Sequence, residues 1–574
     1  MSKLNVDQKR IKELLSENHA NFLIPDYQRP YAWEEEECQT LWDDIFVFAF
    51  PNNNKDDFNI DDEYFLGSIV TYKNDNRQSE IIDGQQRLTT IMLLLRAFYD
   101  RFESMKDKES QDVRKNISQC LWKTDEFGNA DSDNLKIDSE VATDDEKDEF
   151  LGILKNGIET TFKSKYAENY RFFERKIDDF INEYASYLKY LPARILNNCI
   201  LLPIEADSQD TALRIFSTLN DRGLPLADAD IFKAQFYKYY QNRNEKEKFI
   251  DDWKEISKTG DSIYKKPMSV DELFTKYMYL IRAKEGIKTS TTEALRKFFE
   301  HNNYQRLLKA NTIDDLKKLV YFWKSIYELD EKKFNEDVLK RLYVLKFAPN
   351  SMWEYLTSVY FFINKDNNYN LDNNLFSKFL SKITAFIFAY AITNPGVNAL
   401  RTPAYEEMIK ISKKEPIDFV NFKFDEIRLR NSLKNYKFTN SKTVTRSIIT
   451  WYAFTFKEQN LPKNEDFQIE HIYAKKRQEI EHDLSNKNNL EELGNKILLE
   501  RTINIRAADY KFTDKKHHYN GFTNNKGKKI KGSSVAEIKQ LVKLDDFTEK
   551  DIENRDKKIH DTFIDFLHKE DLLE

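Results

Sequence analysis

A chain of 574 residues is long enough for two to four domains, on a prior of about 150 residues each. Its hydrophobic fraction of 40%, with 14% aromatic residues, can supply real cores, which excludes wholesale disorder. The formal net charge of −7 excludes a chain that is basic throughout, so any binding to phosphate groups must come from local patches.

The cysteines and the N-terminus bear on the compartment. Cys38, Cys120 and Cys199 lie far apart and form no CxxC pair, which argues against a disulfide framework and a zinc ribbon and fits a reducing cytoplasm. Residues 1–5 show no apolar signal segment, and the chain has no run of about eighteen apolar residues. We therefore expect a soluble, cytoplasmic protein without a membrane partner.

The first predicted elements are a short amphipathic helix at 7–18, a brief strand at 22–24 and a helix from about 34 to 48. A loop stiffened by prolines joins the strand to the second helix, and it carries Gln28 and Arg29. Arginine suits bidentate contact with phosphate, so this loop is a candidate to meet an anion.

Two buried strands follow, at 64–70 and 79–82, and the second runs straight into Asp83-Gly84-Gln85-Gln86-Arg87 and a helix predicted over 88–101. A strand, a glycine turn and a helix N-terminus together form an anion cradle, because backbone N–H groups and the helix dipole face the same point. Plain turn and capping chemistry uses the same residue types, so both interpretations remain open on this pattern alone.

The middle of the chain changes character twice. Residues 104–160 are dense in charge and poor in apolar periodicity, which predicts a solvated insertion or helical excursion. A strand at 199–204 and helices at 212–220 and 226–239 come next. From about 240 to 460 the pattern is helical and aromatic with almost no glycine, which predicts a helical scaffold.

Near the C-terminus a β-rich apolar run ends in Glu470 and His471, and about twenty polar residues lead to a second apolar run at 496–499. Asn504 then opens a basic segment, since residues 501–540 hold ten Lys/Arg against three Asp/Glu, a local charge of +7. Carboxylate and amide oxygens suit a hard cation, and imidazole can take a proton from water at neutral pH. This histidine and asparagine, placed around a predicted hairpin, resemble an HNH (ββα-metal) nuclease.

Several motifs, in the same order, resemble the GmrSD family of prokaryotic modification-dependent (type IV) restriction systems. They are the segments 24–33, 65–69, 83–90 (the DGQQR signature) and 216–233, then Glu470 to Ile472, 494–499, Asn504 and Lys511. The resemblance covers about 1–235 and 430–560. The family commonly has a proline and a glutamine after the histidine, where this chain reads Tyr473-Ala474-Lys475-Lys476, and many HNH nucleases have aspartate in place of Glu470.

The resemblance implies a fold class for each part of the chain. An α+β, ParB/sulfiredoxin-like domain that binds and hydrolyses NTP is expected at 1–235, with the charged insertion at about 104–160. A mainly α-helical scaffold or linker domain is expected at 236–429. A C-terminal ββα-metal (HNH) nuclease domain is expected at 430–574.

The resemblance also implies roles for individual residues. His471 is expected to be the catalytic general base, and Asn495 is grouped with it because it fixes the hairpin. Glu470 and Asn504 are expected to bind Mg²⁺ (or Mn²⁺). The nucleotide site is expected to comprise Gln28, Arg29, Asp83, Gly84, Gln85, Gln86, Arg87 and Thr89. The expected DNA contacts are Lys511, Lys515 and Lys516, which grip the backbone without reading sequence.

The function implied is an NTP-dependent, metal-dependent DNA endonuclease that restricts foreign DNA, modified phage DNA in particular. Two alternatives remain. One is a nucleotide-switched DNA-binding regulator that no longer cuts, and the other is a toxin-like RNase with the same nuclease fold. Homo-oligomerisation, the preferred NTP and the DNA modification are left open by the sequence.

Overall fold

The computed structural model describes residues 5–17, 20–141, 144–209, 211–213, 215, 227–289, 293–396, 399–462, 467–508 and 511–574. The predicted helix at 212–220 and the motif that follows it therefore lie largely outside the described residues. The chain divides into two compact units, Met1–Lys254 and Glu255–Glu574, and both contain many buried apolar side chains.

The first unit is built on a mixed sheet in the order β1-β9-β4-β5-β3-β8, with β2 also paired to β9. Strand β4 runs parallel to β9 and antiparallel to β5, while β3 runs parallel to both β5 and β8. A separate hairpin pairs β6 with β7. The strands are β1 (Asn5–Val6), β2 (Lys9–Arg10), β3 (Phe22–Ile24), β4 (Tyr64–Lys73), β5 (Ser79–Asp83), β6 (Trp122–Thr124), β7 (Ala130–Leu135), β8 (Ile137–Ser139) and β9 (Cys199–Ala206).

The helix Gln85–Arg101 is the core helix of the first unit. Thirteen of its seventeen residues are buried, and because it is enclosed on all sides it has no polar face to turn to solvent. The other helices of this part of the chain are Ile11–Ser16, Glu35–Ala49, Lys108–Leu121, Lys147–Asn156, Lys165–Tyr184, Tyr190–Asn198 and Asp228–Gln241, and Lys246–Asp261 contains the boundary between the units.

The predicted helices at 34–48 and 88–101 and the strands around them are confirmed. The predicted helix at 7–18 is wrong in its first half, because Lys9 and Arg10 pair with β9 as strand β2. The prediction of a solvated excursion at 104–160 is wrong for Ile137–Ser139, which joins the sheet beside β3. Such a strand is hard to predict from a charged sequence, because only three residues pair and their burial comes from elements that are distant in the sequence.

The second unit is mainly helical, as predicted for 240–460, and carries two small two-stranded sheets. Its helices are Val270–Lys284, Leu295–Tyr304, Thr312–Tyr327, Glu336–Leu345, Met352–Asn364, Asn373–Thr393, Arg401–Ser412, Glu426–Asn435, Thr443–Ala453, Lys475–Glu481, Arg501–Ala507, Phe512–Asn520, Ile538–Leu541 and Glu549–Lys569. Its strands are β10 (Phe467–His471), β11 (Lys496–Glu500), β12 (Gly521–Thr523) and β13 (Lys529–Lys531). Strand β10 pairs with β11 and β12 pairs with β13, both antiparallel.

Among the described residues, one helix has the length and apolar composition that could span a membrane. It is Asn373–Thr393, with a mean hydropathy of 1.5 over its most apolar window. Because 67% of that window is buried inside the protein, the helix has the surroundings of a core helix.

The C-terminal helix Glu549–Lys569 fixes the start of β11. A Cβ on Gly494 would lie 2.0 Å from the carbonyl oxygen of Ile552, so only glycine permits this close approach. The Arg555 guanidinium donates to the carbonyl oxygens of Leu493 at 2.9 Å and of Lys496 at 2.7 Å. The β10–β11 ladder is therefore attached to a helix that lies far away in sequence.

Candidate active sites

Glycines shape the turn between β5 and the core helix, which spans residues 83–87 and is called the β5 turn below. Gly84 has a φ of +90°, and a Cβ there would lie 3.0 Å from the carbonyl oxygen of Ser68. At Gly67, whose φ is +125°, a Cβ would lie 2.6 Å from the Arg87 guanidinium. The absence of a side chain at Gly67 lets Arg87 lie against β4, where its NH1 group donates to the Ser68 carbonyl at 3.1 Å.

The three glutamines expected at the nucleotide site are engaged in holding the proline loop. Gln85 Nε2 donates to Gln28 Oε1 at 3.0 Å, and Gln28 in turn donates to carbonyl groups of β5. Gln86 accepts from the Ala32 N–H at 2.7 Å and donates to the Pro30 carbonyl at 3.1 Å. All three side chains are buried, so they position the loop rather than present their amides to a ligand.

The charged residues of this turn are the groups that can meet a ligand. Arg29 is exposed, Asp83 and Arg87 are half-buried, and Thr89 is buried in the core helix. Burial raises the pKa of the Asp83 carboxyl, against the opposing effects of the Gly84 N–H, Arg87 and Arg29. Burial lowers the pKa of Arg87, and Asp83 opposes that change. The two side chains thus share one partly desolvated environment.

In the second unit, His471 is the last residue of β10 and lies opposite Lys496 of β11. Lys496 Nζ is 3.0 Å from His471 Nε2, and it also donates to Asn440 at 2.8 Å and to Glu491 at 2.8 Å. An ammonium group only donates, so Nε2 accepts from it and the ring proton resides on Nδ1. Burial and the Lys496 charge lower the pKa of His471 to about 3, which keeps the imidazole neutral at pH 7.

Glu470 and Asn504 lie on the other side of the ladder. Side chains alternate along a strand, so Gln468 and Glu470 share one face of β10 while His471 points to the opposite face. Asn504 Nδ2 donates to Gln468 Oε1 at 2.9 Å. Lys515, whose side chain is 1% exposed, forms an ion pair with Glu470 and donates to the His471 carbonyl at 2.7 Å.

Asn495 holds the chain immediately after His471. Its Oδ1 accepts from the Tyr473 N–H at 2.7 Å, and its Nδ2 donates to the carbonyl groups of Tyr473 at 3.1 Å and Leu490 at 3.2 Å. The side chain is fully buried. Its hydrogen bonds therefore join the end of β10 to the beginning of β11.

The three lysines expected at DNA have different surroundings. Lys511 is 64% exposed and pairs with Glu481, whereas Lys516 is half-buried and donates to the Leu544 carbonyl at 2.5 Å. Lys515 is buried against Glu470, so in this arrangement its ammonium cannot reach a phosphate. Four further exposed lysines of the basic segment lie on the β12–β13 hairpin, and they are Lys526, Lys528, Lys529 and Lys531.

Sequence reasoning missed Lys496, Glu491 and the hairpin lysines as individual site residues. Lys496 lay inside the recognised 494–499 segment, but its contact with His471 depends on the strand register. The hairpin lay inside the +7 segment, where the asparagine and glycine of Asn524-Asn525-Lys526-Gly527 were an available turn signal.

The side chains of and near Glu470 offer mainly oxygen atoms as possible metal ligands. In the described ranges, no group of three or more His, Cys, Asp and Glu is arranged to hold a metal ion. The carboxylate of Glu470 and the carboxamides of Gln468 and Asn504 are hard donors of the kind that Mg²⁺ takes, usually with substrate phosphates and water completing the shell. The Lys515 ammonium contacts a carboxylate and a carbonyl oxygen, as a small cation would. The donor chemistry thus fits Mg²⁺ or Mn²⁺.

The sequence matches two family models. Residues 11–237 match the GmrSD restriction endonuclease N-terminal domain, and residues 423–562 match the GmrSD restriction endonuclease C-terminal domain. The first match contains the β5 turn, and the second contains the β10–β11 ladder and the β12–β13 hairpin. No curated protein matches the chain.

Proposed function

Because the chain belongs to the GmrSD restriction endonuclease family, we propose that it is an NTP-dependent, divalent-metal-dependent DNA endonuclease that restricts foreign DNA, in particular modified phage DNA. The single observation that carries this proposal is the neutral, largely enclosed imidazole of His471 at the end of β10, in the residue that directly follows Glu470. A histidine of this kind supplies the proton acceptor that phosphodiester hydrolysis by water requires.

His471 would act as the general base for the attacking water. A low pKa keeps it unprotonated but also makes it a weak base, because burial and the Lys496 ammonium, at which its Nε2 lone pair is directed, both disfavour the protonated ring. Proton abstraction at Nε2 therefore requires Lys496 to shift toward Glu491 or Asn440, which already accept from it. Lys496 would thus position the imidazole in the resting protein and release it when substrate binds.

Glu470, with Asn504 and Gln468 beside it, would hold the Mg²⁺ or Mn²⁺ ion. When bound, the metal would stabilise the negative charge that builds up on the phosphate. Lys515 neutralises Glu470 in the resting arrangement, so metal binding would displace its ammonium from the carboxylate. A displaced Lys515 would then be free to contact the DNA backbone, as the sequence predicts for it together with Lys511 and Lys516.

The β5 turn would bind the NTP. Arg29 and Arg87 would contact the phosphates, with Asp83 and the backbone of Gly84 at the helix N-terminus. Gln28, Gln85 and Gln86 would support the site by holding the proline loop in place, and Thr89 would support it as a buried residue of the core helix. Hydrolysis of the nucleotide would be coupled to restriction.

The regulator without cleavage is favoured by one specific observation. His471 and Glu470 each contact a buried lysine, an arrangement that also describes a nuclease domain that no longer cuts. DNA binding that depends on nucleotide, with no cleavage under any metal condition, would support that alternative.

The experiment is cleavage of modified and unmodified phage DNA by the purified full chain, with Mg²⁺ or Mn²⁺ and with or without each NTP. His471→Ala should lower the cleavage rate about 100- to 10,000-fold, the usual contribution of a general base. His568→Ala is the matched control, because His568 is 55% exposed and pairs with Glu426. Asp83→Ala should abolish the nucleotide effect.

Three other results of this cleavage experiment would contradict the proposed function or the role of His471. NTP hydrolysis without cleavage of any DNA would leave the regulator as the better description. Cleavage of RNA in preference to DNA would support the toxin-like RNase. Cleavage that is equal in wild type and His471→Ala would remove His471 from the mechanism.

A further inference from the structure

The helix Asp228–Gln241 brings two further charged side chains to the proline loop and the β5 turn. Lys233 Nζ donates to the Gln28 carbonyl at 3.2 Å, although Lys233 lies 205 positions away and is 3% exposed. Asp230 lies three residues earlier on this helix. Burial raises the pKa of its carboxyl group, and the positive charges of Arg29 and Lys233 oppose that change. Asp230 is therefore close to the same arginine that influences Asp83.

Asp230 differs from Asp26, an acidic residue of the proline loop itself. Asp26 accepts from the Tyr237 hydroxyl at 3.1 Å and pairs with Lys246 at 2.6 Å, so its charge is compensated. Asp230 Oδ2 is buried from solvent and has no hydrogen-bond partner in the part of the chain that the structure describes. A buried carboxylate oxygen without a donor is costly, and a catalytic role or a bound ion is among the reasons for which native proteins retain such groups.

The charges around this point do not neutralise one another. Within the described ranges, no ion pair joins Asp230 to Lys233 or Arg29, and none joins Asp83 to Arg87. The Asp230 carboxylate thus lies within electrostatic range of the Arg29 and Lys233 cations without direct contact, and Arg29 in turn lies within range of Asp83. A ligand that satisfies both must itself carry both signs, and phosphate oxygens together with a divalent cation meet that requirement.

We propose that Asp230 is a second acidic residue of this site and that, with Asp83, it binds the divalent cation accompanying the phosphates of the nucleotide. Lys233 holds the Gln28–Arg29 segment through the Gln28 carbonyl and adds a buried positive charge facing the phosphates. The inference rests on the proposed nucleotide site. Mg²⁺ is commonly held by one or two carboxylates plus substrate phosphates, so two aspartates are a sufficient protein contribution.

A simpler role for Asp230 is that of an acidic residue in the first turn of a helix, where it stabilises the positive end of the helix dipole. Asp228 occupies the same turn and would serve the dipole equally well. The dipole does not explain why Asp230 Oδ2 is buried without a donor. Asp228 is therefore the matched comparison for the experiment.

The test measures Mn²⁺ bound to the full chain by electron paramagnetic resonance, with and without non-hydrolysable ATP and GTP analogues. The quantity compared is the Mn²⁺ bound only when the nucleotide analogue is present, which separates this site from cation binding beside Glu470. Asp230→Asn should weaken nucleotide-dependent Mn²⁺ binding at least 10-fold, while metal-free binding of the analogue changes less than about 2-fold. Asp228→Asn should behave as wild type.

The outcomes separate the inference from the proposed function. If wild type binds the nucleotide with Mn²⁺ and Asp230→Asn does so equally well, the inference fails and the nucleotide site stands. If wild type binds no nucleotide, both fail. Circular dichroism checks the fold of each variant, and Asp230→Ser, which also removes the carboxylate, replaces Asp230→Asn if that variant does not fold.

Discussion

The two candidate sites differ in how their charges are balanced. At the β5 turn, Arg29, Asp83 and Arg87 form no ion pair with one another among the described residues. At the β10–β11 ladder, Glu470 and His471 each contact a buried lysine. An unpaired set is ready for a ligand of complementary charge, whereas a paired set must release a partner before it binds a metal or accepts a proton. We infer that the proposed nucleotide site is preorganised and that the proposed nuclease site is restrained.

The largest expected effect tests the restraint at Glu470. Lys515→Met leaves the carboxylate largely buried without its ammonium, which should destabilise the second unit by about 3–5 kcal/mol. Added Mg²⁺ or Mn²⁺ should recover part of the loss, because the cation replaces the ammonium. Thermal unfolding followed by circular dichroism, with and without metal, measures both effects.

The matched control for that variant is Lys516→Met, which removes a half-buried lysine bonded to a backbone carbonyl. It should cost less and should not respond to metal. If added metal does not raise the stability of Lys515→Met, Glu470 is not a metal ligand, and its ion pair with Lys515 serves only to stabilise the fold.

The preorganisation of the first site is tested by Gln86→Leu. The substitution leaves the Ala32 N–H and the Pro30 carbonyl without their partner, which should cost about 1–3 kcal/mol and weaken nucleotide binding by displacing Arg29. Chemical unfolding and nucleotide titration measure the two effects. Gln39→Leu should change neither, because the Gln39 amide donates to Asp43 on the same helix and holds no part of the proline loop among the described residues. Unchanged nucleotide affinity in Gln86→Leu would show that the loop position does not matter.

Glu492 supplies a pH-dependent test next to the ladder. Burial, then Asp556, raises the pKa of its carboxyl to about 7, above its ordinary value of 4.5. The folded protein therefore binds an extra proton between these values, and stability falls as pH rises from about 4.5 through 7. Glu492→Gln should be more stable than wild type by about 1–2 kcal/mol at pH 8, allowing for solvent screening, and similar to it at pH 4.5.

Urea unfolding at the two pH values measures this difference. Glu479→Gln is the control, because Glu479 is 64% exposed and pairs with Lys476 at the surface. A Glu492→Gln gain that is the same at both pH values would mean that the carboxyl does not titrate between them.

The smallest effect concerns the β12–β13 hairpin, which lies outside both charge networks. The double variant Lys526→Ala/Lys528→Ala should reduce the slope of log affinity against log salt by about 2, with cleavage at saturating DNA unchanged. The control pair Lys457→Ala/Lys550→Ala removes two exposed lysines from outside the basic segment. An equal change of slope in both pairs would indicate a general charge effect rather than a DNA contact.

Local patterns made the scaffold of each site predictable. The helix after β5 was predicted because its apolar residues recur at helical spacing, and the Gly84 turn was predicted because glycine and polar residues follow a buried strand. The antiparallel pairing of β10 with β11 matches the hairpin expected around His471. Such signals depend on residues a few positions apart.

The partners of the site residues were not predictable in the same way. The glutamines of the β5 turn were expected to face a nucleotide, yet the proline loop takes up their amides. Lys515 was expected at DNA, yet it is buried on Glu470, 45 positions away. A lysine or a glutamine can serve either role, and only its burial and its neighbours decide which one it serves.

The sequence by itself determined the main helices and strands around each site, the two regions that resemble the family and the residue types available for chemistry, because these follow from local periodicity and short motifs. Tertiary structure alone decided which charges meet. It placed Lys496 on His471, Lys515 on Glu470, and Asp230 with Lys233 near the β5 turn. The physical reason is that the protonation and availability of a buried charge depend on desolvation and on neighbours within a few ångströms, and folding brings those neighbours from distant parts of the chain.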